Sequence, residues 1–87
     1  MQHVPIRLPE IVSADDECRF GQWLVDDGDS VLAGDRVAEI LTRGVLVYVA
    51  SPAEGTLIQR VISSGRPLST GESIGEIVTN AEEPAGN

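Results

Sequence analysis

The chain of 87 residues contains no lysine. Its positive side chains are six arginines, and a guanidinium stays protonated (pKa above about 12) and is a poor nucleophile. No side-chain amine is therefore present to form an amide. Cysteine is nearly absent as well. The single Cys18 excludes an intramolecular disulfide and any multi-cysteine zinc site, and it fits a reducing compartment. No run of apolar residues approaches the ~20 needed to span a bilayer. Met1–Pro5 has neither the basic start nor the apolar core of a signal peptide. A soluble cytoplasmic protein is expected.

Positive charge as a whole is scarce. The formal net charge of −8 argues against nucleic acid, whose phosphates are gripped by clustered Lys and Arg, and against an anionic membrane surface. Acids cluster at Asp15-Asp16-Glu17, Asp26-Asp27-Gly28-Asp29 and Glu82-Glu83. Solvated turns account for these clusters; an acidic face that steers a basic partner is the sharper alternative. The length bounds a single domain near the lower limit for folding without staples, one that buries roughly 60–65% of its unfolded surface.

What is present is a repeat. Shifted by 37 positions, the sequence overlays itself without a gap. Phe20–Val25 falls on Leu57–Ile62, Gly28 on Gly65, Val31 on Leu68, Gly34 on Gly71, Asp35 on Glu72, and Glu39-Ile40-Leu41 on Glu76-Ile77-Val78. The shared unit is an apolar strand, a glycine turn, one apolar residue, a second glycine turn followed by an acid, and another apolar strand. Two such units predict two similar halves, 20–41 and 57–78, about an approximate two-fold axis. Turn signals every 6–12 residues and strands rich in Val and Ile leave little room for helix. Strands are predicted over Val4–Leu8, Phe20–Val25, Arg36–Leu41, Val45–Ala50, Gly55–Ile62 and Ser73–Val78, with short extended pieces at Val31 and Leu68. Many short strands in a small chain predict an all-β sandwich or flattened barrel over residues 1–79. Residues 80–87 have the composition of a disordered tail.

Several motifs sit at fixed spacings: Leu8-Pro9-Glu10-Ile11, Trp23-Leu24-Val25, Gly28-Asp29, Gly34-Asp35, Ala38-Glu39-Ile40 and Ser51-Pro52-Ala53-Glu54-Gly55. As an ordered set this pattern resembles the lipoyl domains of 2-oxo-acid dehydrogenase acyltransferases, within the wider biotinyl/lipoyl carrier family. The likeness spans roughly Val4 to Thr79. It implies a barrel-sandwich hybrid, a flattened barrel of two small antiparallel sheets. It also implies lipoate or biotin as the family cofactor, carried on a lysine at the tip of one hairpin. In lipoyl domains that lysine stands five residues after the Ala-Glu glutamate and seven before the Ser of Ser-Pro. Counting from Glu39 and from Ser51 lands on Gly44 both times. The tip here is Thr42-Arg43-Gly44-Val45, where the family has Thr-Asp-Lys-Ala. In the loop after the first strand, Val12-Ser13-Ala14 replaces the family's Gly-Glu-Gly. No cofactor is expected on this sequence. A drift from lysine to arginine would leave arginine at the tip, whereas the residue there is glycine. Arg43-Gly44 instead suits a tight hairpin.

Around the tip, apolar residues stand where the family is polar: Leu41 for an acid, Leu46 and Tyr48 for Thr and Glu. Strand alternation turns Val47 and Val49 inward and leaves Leu46 and Tyr48 outward near Val45. Extra packing against a neighbouring loop and an exposed patch that binds another protein, or a second copy, weigh about equally.

No enzymatic constellation is evident. His3 is alone near a terminus, Cys18 follows Glu17 in an acidic loop that disfavours a thiolate, and the serines have no partner base at a recognisable spacing. Trp23 is expected to be half buried over the sandwich edge. Three readings remain. The first is an unmodified carrier-type scaffold that serves as a protein-binding or accessory module, its partner a 2-oxo-acid dehydrogenase or related complex, with self-association as a variant. The second is a true acyl-carrier domain whose natural sequence has lysine at position 44. The third is an unmodified lipoyl-like domain of a transport assembly; there a long helical hairpin usually splits the halves, and none does here.

Overall fold

The computed structural model describes residues 2–8 and 17–79, and all of its regular structure is strand. Eight strands follow in chain order: β1 Gln2–Arg7, β2 Cys18–Trp23, β3 Ser30–Val31, β4 Arg36–Thr42, β5 Val45–Ala50, β6 Gly55–Gln59, β7 Pro67–Leu68 and β8 Ser73–Thr79. They form two antiparallel sheets of four strands, ordered β1-β8-β6-β3 and β5-β4-β2-β7. Alternation drives the layering. Phe20, Val37, Ile40 and Val49 from one sheet meet Ile6, Leu57, Ile74 and Ile77 from the other in a closed core. The flattened-barrel expectation holds.

The repeat is visible in the hydrogen bonds. Gly28 N–H donates to the carbonyl of Leu57, and Gly65 N–H to that of Phe20, both at 2.8 Å. Phe20 N–H reaches Arg66 O at 2.8 Å, while Leu57 N–H reaches Asp29 O at 2.9 Å. Each pair is one contact made twice, with the halves exchanged. Gly28, Gly34, Gly65 and Gly71 all have φ between 81° and 92°, the left-handed region that a residue with Cβ enters at a cost. The outer strands obey the same symmetry. Thr42↔Val45, Leu41↔Leu46, Ile40↔Val47, Glu39↔Tyr48 and Ala38↔Val49 in the β4–β5 ladder match Thr79↔Gln2, Val78↔His3, Ile77↔Val4, Glu76↔Pro5 and Gly75↔Ile6 in β8–β1.

Boundaries shift in five of the predicted strands. β1 occupies Gln2–Arg7 and not Val4–Leu8, because Gln2 already pairs with Thr79. β2 begins at Cys18, which pairs with both Thr42 and Leu68, and ends at Trp23. Cys18 therefore lies buried in a strand rather than in an acidic loop. β6 stops at Gln59, not Ile62: the N–H groups of Arg60 and Val61 both turn to the Ile74 carbonyl (3.1 and 3.0 Å), which ends the regular ladder. β8 and β4 each run one residue past the prediction, to Thr79 and Thr42. Pro9–Ile11, Val12-Ser13-Ala14 and the tail at 80–87 lie outside the described residues.

The acid after the second glycine turn closes that turn. Asp35 Oδ2 accepts the Leu32 N–H, and Glu72 Oε1 accepts the Ser69 N–H, both at 2.9 Å. The Ser69 amide, and after it the Arg66 guanidinium at 2.8 Å, hold the Glu72 carboxyl below its ordinary value of 4.5. A carboxyl that is more acidic folded than unfolded contributes stability above the unfolded value, and that contribution fades as pH falls through the lower folded one. Glu72→Gln is expected to flatten the fall in melting temperature between about pH 5 and about pH 3. An unchanged slope would deny the turn this role.

Candidate functional site

The turn between β4 and β5 contains only Arg43 and Gly44. Their φ values are 55° and 77°, and two positive values in a two-residue hairpin loop define a type I′ turn. Its right-handed twist matches that of the flanking strands. Arg43 is the one positive-φ residue with a side chain among the described residues. A Cβ built on Gly44 would meet nothing within 4 Å, so the tip projects into open space.

The outward face beside this turn is apolar. Leu41, Leu46 and Tyr48 are 42%, 52% and 45% exposed, whereas Val49 is buried and Val47 packs against the core. Val45, which shares the parity of Val47 and Val49, is exposed at the turn end of the strand. Leu41 and Leu46 sit directly opposite each other across the β4–β5 ladder. The predicted inward and outward sets are thus as alternation requires. The guanidinium of Arg36 lies 4.5 Å from the centre of the Tyr48 ring, a cation–π contact that orders the ring. Sequence reasoning missed it because Arg36 pairs with Ala50, and the bulge between Arg36 and Ala38 swings it diagonally onto Tyr48. Other exposed apolar side chains (Leu24, Leu32 and Ile62) lie in three different connections and form no such run.

The remaining candidates have structural partners. Trp23 is partly buried, donates its indole N–H to the Val61 carbonyl at 2.7 Å, and tilts against Phe20 at 5.6 Å between ring centroids. His3 is exposed, as expected, but not alone. Its Nδ1 and an Arg60 guanidinium nitrogen lie 2.9 and 2.7 Å from the same Glu76 oxygen. First His3 and then Arg60 hold the Glu76 carboxyl below its ordinary range. No group of three His, Cys, Asp or Glu side chains could hold a metal ion among the described residues. No described helix is long and apolar enough to cross a membrane.

Residues 4–77 match the biotin/lipoyl family model, described as biotin-requiring enzyme. Among curated proteins, the chain is 35% identical over 78 residues to the lipoamide acyltransferase component of the branched-chain alpha-keto acid dehydrogenase complex of Bacillus subtilis, a match over 90% of this chain and 18% of the relative. It is 31% identical over 88 residues to the dihydrolipoyllysine-residue succinyltransferase component of the 2-oxoglutarate dehydrogenase complex of Rickettsia bellii, over 94% of this chain and 22% of the relative. A third match is the pyruvate dehydrogenase E1 component subunit beta of Rhizobium meliloti, 34% identical over 62 residues, 71% of this chain and 14% of the relative. The chain thus spans about a fifth or less of each of these relatives.

The open surroundings of Gly44 make its φ the sole constraint on substitution. Gly44→Lys is expected to fold, with a loss of about 1 kcal/mol from the left-handed backbone, measured as a shift in urea midpoint at unchanged m-value. A loss above about 3 kcal/mol would mean that the tip is packed rather than open.

Proposed function

The chain belongs to the biotin/lipoyl family, and we propose that it is an unmodified lipoyl-type domain, a protein-binding accessory module of a 2-oxo-acid dehydrogenase or related complex. One observation carries this reading. The position reached by counting from Glu39 and from Ser51 is Gly44, at the exposed hairpin tip, and no lysine occurs anywhere in the 87 residues. Attachment of lipoate or biotin needs an ε-amine that can be acylated, and arginine does not supply one. A lipoyl-type domain is by itself non-catalytic. The relatives are named as components of such complexes, and one of them is an E1 subunit rather than an acyltransferase. That supports a role for the scaffold beyond the acyltransferase chain.

The contact surface in this reading is the tip face of Leu41, Leu46 and Tyr48, beside Arg43, Gly44 and Val45. It replaces polar family positions by apolar ones and leaves them half exposed. Its occupant is a protein component of the complex. Burying Tyr48, with its ring already ordered by Arg36, would supply an aromatic anchor of the kind that dominates protein interfaces.

Two measurements test the reading. Intact-mass spectrometry after co-expression with a lipoate ligase is expected to show the bare polypeptide. Gly44→Lys alone is expected to stay mostly unmodified, because Arg43 and Val45 stand where a ligase meets Asp and Ala in the family. A lipoyl or biotinyl increment on the unsubstituted chain would overturn the proposal.

The second measurement titrates purified components of the 2-oxo-acid dehydrogenase complex from the same organism. Truncating a buried anchor costs about 2 kcal/mol, so Tyr48→Ala is expected to weaken binding about 30-fold or more. Leu46→Thr is expected to weaken it as well. Equal binding by the chain and both variants would reject the patch.

A further inference from the structure

The internal symmetry offers a comparison between two strands in the same structural position. β5 is one edge of its sheet, and β1 is one edge of the other. Their ladders have the same register, so residue for residue Leu46 corresponds to His3, Tyr48 to Pro5, and Ala50 to Arg7. The two edges are finished very differently. β1 (Gln2-His3-Val4-Pro5-Ile6-Arg7) has a proline, a histidine and an arginine, the devices by which proteins prevent edge strands from pairing. β5 (Val45-Leu46-Val47-Tyr48-Val49-Ala50) has no charge, no proline and no glycine, and its three valines and its tyrosine are good strand formers. Among the described residues, β5 pairs with β4 alone.

Hairpin parity says which backbone groups the β5 edge presents. In a two-residue type I′ hairpin the residues flanking the turn exchange hydrogen bonds, here Thr42 and Val45. Alternation makes Ile40–Val47 and Ala38–Val49 bonded pairs as well. Leu41–Leu46 and Glu39–Tyr48 are then the non-bonded pairs, so the N–H and C=O of Leu46 and Tyr48 point away from β4. At the matching site on β1 the residue is Pro5, which has no N–H. Its placement agrees with this parity, since an edge proline is tolerated where its nitrogen faces outward.

We propose that the β5 edge pairs antiparallel with the β5 edge of a second copy of this chain, about a two-fold axis at Val47. This names one partner of the strand whose face the preceding reading already treats as a contact surface, and it rests on that reading only to that extent. The register is self-complementary. With Val47 opposite Val47 of the second copy, Leu46 of each copy meets Tyr48 of the other as a bonded pair, and four N–H···O bonds close. The side chains agree with the backbone. Leu41 and Leu46 of one copy continue into the partner's Tyr48 in one row across the joined sheets, burying apolar surface that is about half exposed in the single chain. Charge also favours antiparallel self-pairing. Arg43 precedes β5 and Glu54 follows it, so each copy brings its arginine toward the turn of the other that contains Glu54. The acids Asp26, Asp27 and Asp29 follow the far end of β2, away from the tip where Cys18 pairs with Thr42. A six-residue edge lies below the area of a standard interface, so a dissociation constant on the order of 100 µM is expected.

Sedimentation velocity of the full chain from about 10 µM to about 1 mM, with backbone amide exchange read by NMR over the same range, tests the proposal. The expected result is a monomer–dimer equilibrium in which the Leu46 and Tyr48 amides gain protection with concentration while the His3 amide does not. Tyr48→Ala removes the ring but keeps the N–H, and is expected to weaken the dimer several-fold. Tyr48→Pro copies the β1 edge by removing the N–H as well, and is expected to leave a folded monomer at about 1 mM. A wild-type chain monomeric at that concentration overturns the proposal, as does dimerisation of folded Tyr48→Pro equal to wild type. If Tyr48→Pro does not fold, the concentration dependence of the wild-type Leu46 and Tyr48 amides decides alone. Binding of a dehydrogenase component by a strictly monomeric chain would overturn self-pairing and leave the accessory-module reading standing. Lipoate on a chain that dimerises would do the reverse.

Discussion

Each half of this barrel leaves backbone groups that only the other half can satisfy. The amides of Gly28 and Leu57 bond across the halves to Leu57 and Asp29, and those of Gly65 and Phe20 bond to Phe20 and Arg66. These four bonds tie the glycine turn of one repeat to a strand of the other, and the reverse. Phe20 and Leu57 are buried. An unpaired buried amide costs about 1–3 kcal/mol, against the roughly 1 kcal/mol that an ordinary hydrogen bond returns, so each repeat depends on its mate to close. The side-chain core has the same logic: each sheet presents a single apolar face, and the two faces cover one another. A small chain with no disulfide thereby forms one cooperative unit rather than two weak hairpins.

That constraint made most of the fold legible from sequence. The glycines at 28, 34, 65 and 71 and the apolar runs between them repeat at one spacing, and turn chemistry plus alternation leave few other arrangements. Even the two-residue extended pieces at Val31 and Leu68 emerge as β3 and β7. Strand ends were less legible, for an identifiable reason. At Arg60 and Val61 two amides converge on one carbonyl, and at the bulges between Phe20 and Gln22 and between Arg36 and Ala38 the ladder slips. Such irregularities depend on the partner strand, which a local pattern does not contain. The Arg36–Tyr48 contact and the shared Glu76 carboxylate of His3 and Arg60 escaped for the same reason: the partners meet only after sheet register is set. At the tip, the outward set of Leu46 and Tyr48 followed from alternation alone.

Symmetry also separates what the scaffold needs from what a particular surface does. Positions that serve the fold are alike in both halves: Phe20 and Leu57 are both buried, Val37 and Ile74 likewise, and Asp35 and Glu72 each close a turn. Thr42 and Thr79, which end β4 and β8 at equivalent sites, both bury a hydroxyl without a partner among the described residues. Positions that differ between the halves, in an environment the fold keeps the same, are where other demands act. Trp23 against Arg60 is one such difference, and Tyr48 against Pro5 is the sharpest.

The hairpin tip follows this division. A carrier hairpin needs an amine held out in solvent, whereas a two-residue type I′ turn needs positive φ at both positions. Arg43-Gly44 meets the second demand and not the first. None of the interactions that hold the barrel together passes through the Gly44 side, where a Cβ would find empty space. The packing therefore asks for no particular side chain there, and glycine relieves backbone strain at that position. A domain whose core does not pack against its tip can accept different side chains there at the cost of local backbone strain alone. Here the tip is a two-residue turn with positive φ at both positions, flanked by half-exposed apolar side chains. The physical demand on such a surface is shape and backbone pairing, which β5 supplies and its symmetric counterpart β1 withholds.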